Sequence, residues 1–452
     1  MGISNLFNIS RSGLFTYQRA LSVVSNNIAN ANNPNYSRQL VVLGTEFPDY
    51  RANFSFGTGV RLEQVVRASN QVIERQLRNT NASFYSAQKQ ATVLSQIESM
   101  FSEPSDNGLS NLINKFFDSW NDLSVDPTSS PLRSNVIQAA QQLSQKIQNL
   151  HDNFNQQKSD LRADAKDTVK QINAITKELH TLNEQIYEAS VVGKSANDLL
   201  DKRDALLGDL SKLVNINVTI DKNNVANVSI GGVFAVDGLH QVNFKLAEEN
   251  GKLKIQTEDG GANVNVTGGE FFGIADTFGN KIPSYSERLD EIATKIFESV
   301  NNIHKKGYTN TNPPQTGIDF FSEYNNGQLI INQDILNDHN NLAVSKDGSN
   351  GNNEIALELA GLKNEKLIGD LTISETYSNY VSDLANDIQV SNQNADTYGL
   401  VLSQIHQQKM QYSGVSTDEE MMNVLKYQKS YDAAAKLIKV ADSMLDTLLN
   451  VV

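Results

Sequence analysis

Apolar residues recur every seven positions at both ends of the chain, and this pattern constrains the fold more than any other. A seven-residue apolar repeat is typical of helices that pair along an apolar seam, as in coiled coils. The N-terminal rows are Phe7, Leu14, Leu21 and Ile28, and Ile3, Tyr17, Val24 and Ala31, with Ser10 as the one interruption; the C-terminal rows are Val424, Tyr431, Ile438, Leu445 and Val452, and Tyr427, Ala434, Ala441 and Leu448. We therefore predict an amphipathic helix at each end.

The two ends also differ in charge. Residues 1–45 contain Arg11, Arg19 and Arg38 but no acidic residue, whereas residues 418–452 contain six acidic residues and four lysines. Opposite charge favours pairing of the ends, although an exposed ion pair contributes only about 0–1 kcal/mol. Ser416 or Thr417 is expected to cap the C-terminal helix, because three acidic residues follow in the first turn, where the helix dipole favours negative charge.

Between the ends, helical segments enclose one β segment. Helical spacing covers about 62–102, 109–123 with the only tryptophan, 131–191 and 198–214, and it returns at 289–303 and 372–412. Pro104 and a turn at 107–108 separate the first two helices, and residues 26–59 are predicted to be mainly loop. From about 215 to 266 the apolar period changes to two, with Asp, Asn and Gly turns between the runs. The predicted fold is mainly α with an antiparallel β insert, in a nested order.

Composition excludes several classes of protein. The chain has 452 residues, and its net charge of -14 would repel nucleic acid. No stretch approaches the roughly 18 apolar residues that span a bilayer, so no membrane insertion is expected. The absence of cysteine removes disulfides and thiolate chemistry. The first 20 residues have no continuous apolar core, so export of this chain would not use a cleaved signal peptide.

Three patterns resemble chemical sites, and each fails on spacing. Gly193-Lys194-Ser195 ends like a phosphate-binding loop, but Glu188 stands where the first glycine is required. Residues 347–351 resemble a calcium loop, yet Ser349 and Gly351 replace expected oxygen ligands. No histidine has metal-ligand spacing; the six are His151, His180, His240, His304, His339 and His406. We therefore predict no catalytic, cofactor-binding or metal-binding residue.

Several motifs in the N-terminal half and at the C-terminus resemble those of the bacterial flagellar rod, hook and hook-associated proteins. The asparagine-rich motif comprises Asn26, Asn27, Ile28, Ala29, Asn30, Pro34, Tyr36, Ser37 and Arg38; further matches are 5–9, 12–14, 57–60, 116–120, 197–204 and 414–421. Its ending, Tyr-Ser-Arg-Gln, resembles the hook-associated protein 1 family, which forms the first hook–filament junction, more than it resembles the hook protein. The resemblance covers roughly residues 1–215 and 280–452.

The resemblance implies a structural protein of the hook–filament junction, exported through the flagellar type III apparatus and located outside the cell. It implies an inner terminal coiled-coil domain at 1–45 and 415–452 that is mobile before assembly, a helical rod domain at 46–213 and 281–414, and an outer β-rich insert at 214–280. The expected partners are further copies of the chain, the hook protein, the second junction protein and an export chaperone. The chain is short for this family, which implies that an outer domain is reduced or missing.

Two positions depart from the family pattern. Asn35 stands where the family usually has glycine, and we expect asparagine to adopt the positive φ there. Thr417 stands where an apolar residue is common, and a threonine there can cap the helix instead.

The assembly interface is predicted to comprise Phe7, Leu14, Tyr17, Leu21, Val24, Ile28, Val424, Tyr431, Ile438, Leu445 and Leu448. A chaperone is expected to cover Tyr427, Tyr431, Ile438 and Leu445 before export, because these residues form an apolar stripe that is unpaired until assembly. Two alternatives stay open: a rod or hook protein of the same family, and a surface adhesin or enzyme that acts through the β insert.

Overall fold

The computed structural model describes residues 3–449 apart from 52, 53, 102, 104 and 195; the side chains of 50, 51, 54, 55 and 448 are also outside the description. Pro104, Ser195, Val452 and the side chain of Leu448, which entered the sequence predictions, therefore have no structural account. Among the described residues, none of the helices combines the length and the apolar composition that a membrane span requires.

Helices account for most of the described residues. They are Ile3–Ala29 (α1), Gln71–Phe101 (α2), Leu109–Val125 (α3), Ser130–Val191 (α4), Asn197–Leu213 (α5), Glu270–Asp276 (α6), Ile282–His304 (α7), Gln333–Asn337 (α8), Glu354–Gly361 (α9), Ile373–Ser413 (α10) and Thr417–Leu449 (α11). A π-helical turn at Thr277–Lys281 joins α6 to α7. With 62 residues, α4 is about 93 Å long at about 1.5 Å per residue and forms the spine of the molecule.

The strands form small antiparallel sheets. They are Gln39–Thr45 (β1), Asp49–Arg51 (β2), Phe54–Phe56 (β3), Val60–Arg67 (β4), Ile216–Ile220 (β5), Ala226–Ile230 (β6), Val233–Asp237 (β7), His240–Gln241 (β8), Phe244–Glu249 (β9), Lys252–Thr257 (β10), Asn263–Val264 (β11), Phe321–Asn325 (β12) and Gln328–Ile331 (β13). Strands β1 and β4 pair, as do β2 with β3 and β12 with β13, while β5-β6-β7-β8 and β11-β10-β9 form the larger sheets.

The predicted helical segments agree with the structure except at one place. Residues 62–70 were predicted to begin a helix, but β4 extends to Arg67 and α2 begins only at Gln71. Strand β1 pairs with β4 from Gln39 opposite Arg67 to Thr45 opposite Val60, so part of the predicted loop is also strand. The β-branched run at 65–66 favours this pairing, and a short apolar stretch does not distinguish helix from strand by its period.

The β segment lies against α4 rather than apart from it. Asn173 of α4 accepts from the backbone N–H of Phe244 at 2.9 Å and donates to its carbonyl at 2.8 Å. Asn183 pairs with Ala226 in the same way, at 3.0 and 2.8 Å. The strands are thus fixed to the spine at two points. Residues 270–280, which we assigned to the β insert, are helical, because the alternation of period two ends before Glu270.

One hydrophobic core connects the helices with the strands. Phe116 and Trp120 of α3 are fully buried against Phe320, with ring centroids 5.9 and 5.5 Å from the Phe320 ring. The same buried cluster continues through α4 and α7 into β6 and β10. A core of this extent fixes the spine and the β segment as one packed unit.

Candidate assembly interface

Helices α1 and α11 lie side by side and run in opposite directions. A Cβ atom placed on Gly13 would lie 3.4 Å from the Cβ of Ala434. Further along α1, Tyr17 stacks on Tyr427 with ring centroids 6.4 Å apart. At the end of α1, Asn27 donates to Glu420 at 3.2 Å. The sequence ends therefore form an antiparallel hairpin, as their charge pattern and apolar repeat predicted.

The seam of this hairpin is built mainly from small and polar residues. On α1 the buried side is Ser10, Gly13, Thr16, Ala20, Val24 and Asn27, and on α11 the buried residues are Glu420, Ala434 and Ala441. Small residues let two helices approach closely, because side-chain size sets the distance between helix axes. The row that contains Tyr17 and Val24 does lie at the seam, as does the Tyr427, Ala434 and Ala441 row.

The other predicted rows lie beside the seam, not in it. Leu14, Leu21 and Ile28 are half-buried, and so are Val424 and Ile438. Phe7 is 39% exposed. Tyr431 and Leu445 are also exposed, at 36% and 41%. These residues therefore do not all meet inside the hairpin of one chain, because glycine and alanine at the facing positions leave the larger side chains at the flanks. The assembly interface between copies, for which they were named, stays a prediction.

Large apolar side chains remain exposed on both helices. Phe15 of α1 faces solvent. On α11 the exposed large apolar residues are Met421, Met422, Leu425, Tyr431, Leu437, Val440, Met444, Leu445 and Leu449. Contiguous exposed apolar surface of this kind marks a protein interaction site in soluble proteins.

A buried polar network joins the asparagine-rich motif to the start of α11. The Asn27 side chain accepts from the Tyr36 hydroxyl at 2.7 Å and from the Gln39 N–H at 2.9 Å. Glu420, only 1% exposed, accepts from Arg38 Nε at 2.8 Å, and Arg38 also reaches Glu419 at 2.7 Å. The acidic first turn of α11 thus pairs with an arginine from the basic end, as the sequence predicted.

The same network continues into α5. The Ser37 N–H donates to Asp201 at 3.2 Å. Arg67 of β4 pairs with Asp201 at 2.6 Å and with Asp204 at 2.9 Å. Burial acts to raise the pKa of Asp204, but Arg203 and Arg67 outweigh it and hold that pKa below its usual value. Burial, with the negative charges of Asp198, Asp201 and Glu420, raises the pKa of Tyr36 to about 12.

Three motifs that were separate in the sequence therefore meet at one place: 26–38, 197–204 and the start of α11. A fourth motif, 57–60, packs against α1. Thr16 of α1 donates to the Val60 carbonyl at 3.0 Å. Gly59 has a φ of +125° and lies directly against Ser12 of α1. A side chain at Gly59 would overlap Ser12 and the α1 backbone, which explains the glycine.

The remaining residues of the asparagine-rich motif form the turn after α1. Asn30 donates to the Asn26 carbonyl at 3.0 Å, and Asn26 donates to the Tyr36 hydroxyl at 3.3 Å. Ala29 and Pro34 are exposed. Asn35 does not have a positive φ, so our expectation for this position is wrong. Its N–H donates to the Asn33 side chain at 3.1 Å, and this contact closes the turn without a left-handed residue.

Ser416, rather than Thr417, caps α11. The Ser416 hydroxyl accepts from the Glu419 N–H at 3.4 Å, and Thr417 is the first helical residue. The sequence predicted that either Ser416 or Thr417 is the N-cap. Because the helix starts at Thr417, the N-cap is the preceding residue, Ser416.

The patterns that resembled chemical sites have ordinary structural roles. Gly193 adopts a positive φ in the turn after α4. Asp347 accepts hydrogen bonds from the hydroxyls of Ser345 and Ser349 inside its own loop. Within the described residues no group of three or more His, Asp or Glu side chains is placed to hold a metal ion.

Half of the chain matches a known protein family. Residues 94–321 match the model of the flagellar hook-associated protein FlgK helical domain. The ends match two other flagellar models: residues 7–36 match the flagella basal body rod protein, and residues 406–451 match the C-terminal region of the flagellar basal body rod FlgEFG proteins. The chain therefore belongs to the flagellar hook-associated protein family, and it is a structural component of the flagellum at the hook–filament junction.

The sequences of individual relatives align with almost the whole chain. Flagellar hook-associated protein 1 of Bacillus subtilis is 28% identical over 98% of this chain and 97% of its own length. Its namesake in Salmonella typhimurium is 23% identical over 99% of this chain and all of its own length. That alignment extends over 555 residues, so the Salmonella protein has segments that this 452-residue chain lacks. This agrees with the prediction of a short member.

A solved structure shares the fold. The flagellar hook junction protein FlgK from Burkholderia pseudomallei superposes with a TM-score of 0.64 at 14% identity, covering 76% of this chain and 100% of that chain. The relatives are structural flagellar proteins, which is consistent with a chain that is not an enzyme. Because the rod and rod/hook models match only the ends, the hook-associated assignment is favoured over a rod or hook protein.

Proposed function

We propose that the chain joins hook to filament by packing its α1–α11 hairpin against the hairpins of neighbouring copies. The observation that supports this is the arrangement of the hairpin itself, in which small residues meet inside and large apolar residues face outward. In the proposed assembly, Phe7, Tyr431 and Leu445 are buried against other copies, together with the exposed residues of α11. The half-buried members of the predicted interface, such as Leu14 and Ile438, lose their remaining exposure there.

We further propose three regions with different roles. Residues 1–45 and 415–452 form the inner wall of the assembled structure, residues 46–213 and 281–414 form a rod layer around it, and the β insert, assigned to 214–280 and starting with β5, faces outward. In this arrangement the protein adapts a flexible hook to a stiffer filament by offering different lateral contacts to the hook protein on one side and to the second junction protein on the other. Its place is outside the cell, after type III export.

The test is a pair of matched substitutions. Leu445 and Leu239 have the same exposed fraction, 41%, but only Leu445 lies on the hairpin. In cells whose own copy is replaced, Leu445→Asp should leave hooks without filaments and release filament subunits into the medium, because a charge at a packed interface is desolvated without a partner. Leu239→Asp should support normal filaments. Normal filaments in electron micrographs of the Leu445→Asp cells would refute the proposed interface.

We also propose that an export chaperone covers Tyr427, Tyr431, Ile438 and Leu445 before assembly. In the hairpin Tyr427 is stacked on Tyr17, so the chaperone has to displace α1 to reach the whole stripe. Simultaneous alanine substitution of Tyr431 and Ile438 should weaken the chaperone complex in a calorimetric titration, since both substitutions remove apolar contact area. Unchanged affinity would exclude this stripe as the binding site.

A further inference from the structure

A pocket of about 600 Å³ lies between β4, the first turns of α2, α5 and β5. Four arginines line it, Arg67, Arg75, Arg78 and Arg203, together with two acidic residues, Glu74 and Asp204. The whole chain has a net charge of -14, so an excess of positive charge at one place runs against its average. None of its lining residues belongs to α1 or α11.

Both acidic residues of the pocket are already paired. Asp204 accepts from Arg67 at 2.9 Å and from Arg203 at 2.8 Å. Glu74 pairs with Lys409 at 2.8 Å. Arg75 and Arg78 remain, and no described residue accepts a hydrogen bond from either guanidinium or forms an ion pair with it. The pocket therefore has two guanidinium groups that have no hydrogen-bond or ion-pair acceptor among the described residues.

The guanidinium groups of Arg67 and Arg78 lie in different electrostatic environments within this pocket. Arg67 has carboxylate partners on both sides, and despite its burial they raise the pKa of its guanidinium. Arg78 is half-buried beside Arg75 and Arg203, and burial lowers its pKa even though Glu74 and Asp204 act in the opposite direction. A half-buried guanidinium without an acceptor is destabilising unless a ligand supplies one.

We propose that this pocket is an oxyanion site, in which Arg78 and Arg75 bind a carboxylate or phosphate group from outside the chain. A guanidinium fork matches the two oxygens of such a group, which makes arginine the preferred residue for this type of recognition. Two sources have the required chemistry: a free phosphate ion, and a carboxylate side chain of another subunit. The site itself does not depend on the junction role or on the hairpin interface.

The first experiment uses inorganic phosphate as the probe on the full chain. Phosphate, compared with chloride at the same ionic strength, should raise the thermal midpoint of the wild type, because a ligand that binds only the folded state stabilises it. Arg78→Gln should bind phosphate at least about tenfold more weakly in calorimetry, the effect of losing one charge-assisted hydrogen bond. The control variant is Arg19→Gln, which removes the same charge at an exposed position of α1. It should bind phosphate like the wild type.

Thermal unfolding in chloride separates a binding role from a structural one. Arg78→Gln should unfold at the same temperature as the wild type or higher, because it removes an uncompensated charge. A structural arginine would give a lower temperature. Equal phosphate binding by the wild type and Arg78→Gln, or no binding by either together with the absence of a cross-link in the next experiment, would overturn the proposal.

The second experiment identifies the source in assembled flagella. The lysine that Arg78→Lys introduces can be joined to a contacting carboxylate by a zero-length carbodiimide reagent. A cross-link to another subunit, found by mass spectrometry, supports the site and assigns a side-chain carboxylate as its occupant. Phosphate binding without such a cross-link supports the site and assigns a free anion.

Discussion

The central core and the terminal hairpin use large apolar side chains in opposite ways. In the core, Phe116, Trp120 and Phe320 are fully buried against each other. In the hairpin, Phe7 and Phe15 are exposed, while Gly13 and Ala434 meet at the seam. Both regions are amphipathic helices by sequence, yet only the first completes its own core.

This difference shows what an apolar repeat does and does not specify. A stripe of apolar residues predicts that a helix has a face to bury, but it does not say whether the partner belongs to the same chain. The core helices have many neighbours within the chain, so their stripes are covered. Helices α1 and α11 have mainly each other and the β1–β4 pair, so larger side chains are left at the surface for other molecules.

The strongest test of this comparison is the same substitution in both regions. Phe116 is 0% exposed and Phe15 is 59% exposed. Phe116→Ala should lower the free energy of unfolding by about 3–5 kcal/mol, because it leaves a cavity in a packed core. Phe15→Ala should change it by less than about 0.5 kcal/mol in the isolated chain. Urea unfolding of both variants measures the difference; similar losses would show that the hairpin is packed like the core.

A buried histidine of the core should make the stability of the folded chain depend on pH. His304 is fully buried, with Nδ1 at 2.7 Å from the Ile318 carbonyl and Nε2 accepting from the Ala343 N–H at 3.0 Å, so its ring is neutral. Burial lowers its pKa to about 4, and the nearby charge of Arg133 acts in the same direction. In the unfolded chain the pKa of histidine is about 6.5.

Between these two values the unfolded chain binds a proton that the folded chain does not bind. The stabilising contribution of neutral His304 is therefore complete above pH 6.5, and about 3 kcal/mol of it is lost as the pH falls to 4. Urea midpoints at several pH values measure this slope. His304→Gln should flatten it, whereas His240→Gln, at an exposed position, should not. An equal slope in His304→Gln would assign the effect to other groups.

Much of the fold could be predicted from the sequence because long helices carry strong periodicity. The predicted segment 131–191 agrees with α4 at Ser130–Val191, and 109–123 agrees with α3 at Leu109–Val125. Strands β7 and β9 were not predicted, since their short mixed runs lack a clear alternation. Most of strand β4 was predicted as helix because a short apolar run does not distinguish helix from strand by its period. Its partner strand β1 lies in a segment that was predicted to be loop, so the pairing was not predicted either.

The assembly surface could be predicted only in part. The heptad rows identified the correct helices, and the asparagine-rich motif identified the residues that anchor them. The seam was predicted only in part: the rows that contain Val24 and Ala434 lie at it, but Gly13, Thr16 and Ala20 were not named, because small and polar residues have little hydrophobic weight. The role of Glu420 was missed because a buried carboxylate is recognised by its partners, Arg38 and Asn27, which are nearly 400 residues away in sequence.

The smallest expected effect concerns the seam itself and separates it from its flank by a single residue. Ala434 is buried opposite Gly13, whereas the preceding Ala433 is exposed on the same helix. Ala434→Leu should destabilise the hairpin by about 1–3 kcal/mol, because the added atoms overpack a close helix contact. Ala433→Leu should have almost no effect.

Because α1 and α11 can separate without unfolding of the core, the loss should appear as faster amide hydrogen exchange confined to the two helices. Equal exchange in both variants would mean that the hairpin is already open in the isolated chain. That result would support the expectation from the family resemblance that the ends are mobile before assembly, and it would assign the small-residue seam to the assembled state.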